Sequence, residues 1–213
     1  MRRAFALLIV VMLFVVGSST ALAATTQKVT VRALIAQAGW DIYDESSGAG
    51  ESGSVQFATA EGRTTLSLSM SRGELVLCQG GQTPNDPVDD VYGFVGTATF
   101  GEGPARLSLG KTYSSAKASG TVTADVFTFS ECTGDEGTSS TKSIKVSIDL
   151  SGISPIIHET VRSTISVPSR LRSKTMIRAD SREAAGTVKV ASRTLRTGGV
   201  IGMLSMKASV TAH

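Results

Sequence analysis

Two cysteines, two histidines and a scatter of carboxylates offer the most chemistry in this 213-residue chain. Cys78 and Cys132 have only each other, and neither lies in a Cys-x-x-Cys pair. In an oxidising compartment they are expected to bridge, closing a loop across a separation of 54 residues. His158 and His213 are the only histidines, too few for a zinc site. His158 follows Pro155-Ile156-Ile157 and precedes Glu159, which reads as a strand end whose imidazole meets a carboxylate. There is no Gly-x-Ser-x-Gly elbow and no His-Glu-x-x-His helix. A secreted hydrolase is therefore the most distant reading, with no catalytic residue assigned.

The carboxylates fall into two glycine-rich loops. Asp86, Asp89 and Asp90 lie in one, and Glu131, Asp135 and Glu136 lie in or beside the other. A Cys78–Cys132 bridge would draw the two together. Clustered carboxylates on flexible loops suit calcium, which takes six to eight oxygens, although the spacing matches no EF-hand. No other cofactor is expected.

The cations are concentrated elsewhere. In a strand over 170–178, Arg170, Arg172, Lys174 and Arg178 share one face, while Leu171, Ser173, Thr175 and Ile177 take the other. The face reads either as solvated and paired with the acidic part of the chain, or as a contact for an anionic envelope polymer or a membrane surface. The whole chain has the same asymmetry. Residues 25–140 carry 14 acidic and 7 basic side chains, whereas residues 141–213 carry 4 and 12. Every aromatic residue after position 24 lies between Trp40 and Phe129, so the basic part has none. Single-strand recognition stacks bases on aromatics along a basic groove, so no nucleic-acid partner is expected. Trp40, Tyr43 and Tyr92 read as core, with a sugar-binding platform as the alternative.

The elements that must position these residues are β throughout. Val29, Val31, Ala33 and Ile35 alternate with polar or opposite-facing residues, as do Leu66, Leu68 and Met70, and Ile144, Val146, Ile148 and Leu150. Val200, Leu204, Met206, Ala208 and Val210 form one further face. About twelve short strands, separated by Gly, Ser, Pro and Asp clusters, predict an all-β antiparallel sandwich, with a barrel as the alternative closure. A small-Gly-Ser/Thr-Val pattern recurs around Gly53, Gly120 and Gly186, hinting at duplicated strand entries.

The first 24 residues read as an export signal. Arg2 and Arg3 precede an apolar run from Ala4 to Gly17, and Thr20-Ala21-Leu22-Ala23-Ala24 offers a cleavage site near Ala23 or Ala24. Residues 25–213 then form a single secreted domain, extracellular or in the envelope and of bacterial type, with no transmembrane segment in the mature chain. The expected function is non-enzymatic, structural or binding, toward an anionic envelope polymer or glycan. A calcium-supported carbohydrate-binding module is the alternative.

Overall fold

The computed structural model describes residues 27–78, 91–132, 136–167 and 171–212. Among them there is no α-helix, only a 3₁₀ turn at Lys111–Tyr113. Nine antiparallel strands form one sheet: β1 (Gln27–Asp44), β2 (Ala49–Ala60), β3 (Arg63–Cys78), β4 (Val91–Leu109), β5 (Ser115–Ser130), β6 (Glu136–Gly152), β7 (Ile157–Val167), β8 (Leu171–Val190) and β9 (Arg193–Ala212). These nine strands, of 11 to 20 residues, take the place of the twelve short ones the pattern suggested. Several glycines and a proline of the kind that end strands are here within them. Gly101, Gly103 and Pro104 lie inside β4, where the chain continues along the sheet instead of turning.

The strand order is β6-β5-β4-β3-β2-β1-β9-β8-β7, and β6 also pairs with β8. That last pairing makes the sheet ring-like. It is partial: β8 gives residues 184–190 to β6 and residues 171–181 of the same edge to β7. The halves of β8, β9 and β1 beyond the joint, with β7, therefore form a four-stranded extension of the ring. Hairpins join most neighbours in sequence. Glu61 and Gly62 connect β2 to β3 with φ of 52° and 77°, the left-handed pair that matches strand twist.

Inside the ring the apolar side chains meet. Phe57, Leu66, Leu150, Ile201, Val55, Val122 and Val188 are fully buried, and Ala36, Ala38, Leu68, Val146 and Ile148 complete the packing. Burying a residue of this size stabilises by roughly 1.5–3 kcal/mol. The faces expected of β3 and β6 are thus the observed ones. The recurrent glycine pattern also acquires a meaning: Val55, Val122 and Val188, each two residues after its glycine, are all buried here, Val55 and Val122 in mid-strand and Val188 near the end of β8, none at a strand entry. Gly53 is required because Trp40 lies on it. A Cβ there would stand 2.3 Å from the indole.

β1 and β9 depart from expectation. Val29, Val31, Ala33 and Ile35 make one alternating apolar face, but the core residues of β1 are Ala36, Ala38 and Trp40, of opposite parity. On β9 the fully buried residue is Ile201, whereas Val200, Leu204, Met206, Ala208 and Val210 lie on the other side. No bulge intervenes in either pairing. The apolar face simply changes side where each strand leaves the ring for the extension.

Candidate functional site: a cationic sheet face

Partnered residues in an antiparallel pair project to the same face, so the register sorts the side chains of the extension. Ala36 lies opposite Ile201, and Ile201 opposite Arg182, which fixes the side continuous with the ring interior. Moving outward along that side, the first row is Leu34, Met203, Asp180 and His158 across β1, β9, β8 and β7. The next is Arg32, Ser205, Arg178 and Thr160. Thr30, Lys207, Met176 and Arg162 follow, then Lys28, Ser209, Lys174 and Thr164. Arg172, opposite Thr211 and Ser166, lies furthest out.

Seven cations thus share one face, Lys28, Arg32, Arg162, Arg172, Lys174, Arg178 and Lys207, and all are exposed. Six of them alternate like the dark squares of a checkerboard, and Arg172 stands directly beyond Lys174 on β8. Like charges directly opposite one another destabilise a sheet, and here each cation has a hydroxyl or Met176 as its lateral neighbour. Strand spacing and rise put diagonal neighbours about 8 Å apart, close to the screening length in physiological salt. A shallow depression of about 360 Å³ runs between Lys28, Thr30, Arg162, Lys174 and Lys207.

One carboxylate shares the face, and it is engaged. Asp180 Oδ1 lies 2.6 Å from His158 Nδ1, the strand-end contact with a carboxylate expected of this histidine. Burial, and then the charge of Asp180, raises the pKa of the nearby Tyr113 hydroxyl. Arg182, one step toward the ring, gives Nε–H to Ser154 O at 2.6 Å. The ion pairs among the described residues are Lys117–Asp149, His158–Asp180 and Arg193–Glu51. None involves the seven cations, so the described acidic residues do not neutralise them.

Three of the four cations expected on this face, Arg172, Lys174 and Arg178, are there; Arg170 lies outside the described residues. Lys28, Arg32, Arg162 and Lys207 were not anticipated. Each stands at an alternating position of its own strand, but only the pairing register unites them.

The suggested calcium ligands are mostly beyond reach. Asp86, Asp89, Asp90 and Asp135 lie outside the described residues, as does the side chain of Glu136. Glu131 Oε2 accepts the backbone N–H of Phe94 at 2.9 Å, and Glu131 N–H donates to Phe94 O at 3.0 Å. No cluster of metal-ligating side chains occurs among the described residues. The disulfide is present: Cys78 and Cys132 are bonded, with Cα atoms 5.1 Å apart. Gly93 makes room for it, since a Cβ there would stand 2.6 Å from Cys78 Sγ. The three aromatics do not form one platform. Trp40 is in the ring core, whereas Tyr43 and Tyr92 are 61% and 64% exposed on the outer surface.

No helix among the described residues is long and apolar enough to cross a membrane. Comparison with protein-family models, with curated proteins and with solved structures finds no match.

Proposed function

We propose that this is an exported, non-enzymatic binding protein that holds an anionic polymer or glycan, of the envelope or outside the cell, on the cationic face of β7, β8, β9 and β1. One observation carries the reading: seven exposed cations, drawn from four strands, converge on a face whose one described carboxylate is already paired with His158. Such a field concentrates polyanions and speeds their capture. The hydroxyls of Thr30, Ser205, Ser209 and Thr164 stand beside the cations and supply neutral hydrogen-bond donors for anionic oxygens. The face is broad, shallow and free of described aromatics, which suits an extended polymer better than a small molecule or a stacked base.

Retention on insoluble wall or glycan preparations tests the proposal. Binding is expected to fall steeply with added salt, to be indifferent to EDTA, and to be lost in a Lys28→Gln/Lys174→Gln/Lys207→Gln variant. EDTA-sensitive retention unaffected by those substitutions would instead favour the calcium-supported module. Export under a leader of residues 1–24 belongs to the same proposal, and an intact mass beginning at Ala24 or Thr25 is its check.

A further inference from the structure

We infer that the reverse side of the same four strands is a docking face for a second copy of this chain. Opposite the cations, the central row runs Val31, Met206, Ile177 and Val161 across β1, β9, β8 and β7. Rows on either side add Ala33, Leu204 and Ala179, and Val29 and Ala208. Val29, Val161 and Ile165 are 41%, 44% and 62% exposed. From the row of Ile35, Gly202, Ser181 and Ile157 outward, Glu159 on the edge strand β7 is the only charged residue among the described side chains; Glu183, opposite Val200, stands one row nearer the ring.

The switch of parity shows that this face is built as half of a core. A strand that merely left the ring would keep its apolar residues on the ring side or lose them. Here β1, β8 and β9 transfer them together to the other side of the sheet, row matched to row. A sheet with an apolar face must bury it against a second layer. Among the described residues no element packs across it, and β7 touches little besides β8.

Size, charge and direction select the occupant. Four strands of about nine residues span about 19 by 30 Å, or about 600 Å² per copy. A pair would bury about 1,200 Å², the lower bound of stable specific interfaces. An apolar face with one rim charge can meet its own copy under a two-fold rotation without opposing charges at its centre, and two such sheets pack about 10 Å apart. The alternative of a lipid surface is less suited. Interfacial elements gain from cations that reach the headgroups, and the cations here point away from anything the apolar face touches. Face-to-face pairing sends both cationic faces outward, where each stays free for its own polymer segment.

Sedimentation equilibrium of the purified protein from about 1 to about 100 μM tests this. A dimer is expected in wild type and in Lys174→Gln, and a monomer in Ile177→Lys, with circular dichroism and an intact disulfide confirming its fold. Should Ile177→Lys fail to fold, Val161→Lys, at an exposed edge position, is expected to give the same monomer. The wild-type Tm should also rise with protein concentration, a readout that needs no variant. A wild-type monomer throughout the range with a concentration-independent Tm overturns the inference, as does a dimer untouched by either lysine. A monomer retained on neutral phosphatidylcholine vesicles overturns it in favour of lipid. None of these outcomes bears on polymer retention by the opposite face, which is measured separately.

Discussion

Glu51 and Arg193, 142 positions apart in the chain, form an ion pair at the mouth of the ring, and the same carboxylate accepts the Trp40 indole N–H at 3.2 Å. The acid is only 7% exposed, whereas the arginine is 47% exposed and can turn to water. The two ends of the pair therefore differ in what their loss would cost. Glu51→Ala leaves the indole donor without its partner and is expected to cost about 2–3 kcal/mol. Glu51→Gln keeps an acceptor for Trp40 and should cost about half as much. Denaturant unfolding of the two variants checks the order.

The checkerboard predicts equivalence between residues far apart in sequence. Lys174→Gln and Lys207→Gln should each weaken retention on an anionic polymer about fivefold, corresponding to about 1 kcal/mol per cation near an anionic surface. Arg196, exposed on the outer side of β9 in the ring, is the control and should change nothing. A binding isotherm at fixed salt distinguishes them.

The disulfide joins the end of β3 to the turn that follows β5, and neither cysteine belongs to the buried core. Replacing both Cys78 and Cys132 by Ser should lower stability by about 2–4 kcal/mol, in line with the entropy of the long loop it closes. Polymer retention should survive, because the cationic face lies on other strands. Chemical denaturation and retention measured on the same sample would show the two effects apart.

Asp44 ends β1, and its carboxylate accepts Ser46 Oγ–H at 2.7 Å, Ser47 Oγ–H at 2.9 Å and Ser46 N–H at 3.0 Å. These bonds hold its pKa below the ordinary aspartate value. A depressed folded pKa contributes stability above the unfolded value and loses it as pH falls through the folded one. NMR titration should show Asp44 protonating below its ordinary range, and Ser46→Ala/Ser47→Ala should move it back up.

How much of this was legible in the chain follows from what period-2 patterns encode. Leu66, Leu68 and Met70, and Ile144 to Leu150, alternate within segments that stay in the ring, so their inward face could be read directly. Val29 to Ile35 alternate as cleanly, yet face away from the ring core. Alternation reveals two sides without saying which one a given stretch buries. The cationic site was visible only on β8, where Arg172, Lys174 and Arg178 are close in sequence. Lys28 and Lys207 meet it through the pairing of β1 with β9, a long-range contact with no local signature.

That pairing also sets an order of events during synthesis. Among the described strands β1 is made first, and one of its neighbours last: Gln27 lies opposite Val210. Until residues 193–212 exist, β1 and β8 each lack a partner strand, the ring cannot close, and the cationic face has no middle. Such distant pairing is slow to form. The chain must therefore stay unclosed for the whole of its elongation, with strand edges open to mispairing unless something keeps them apart.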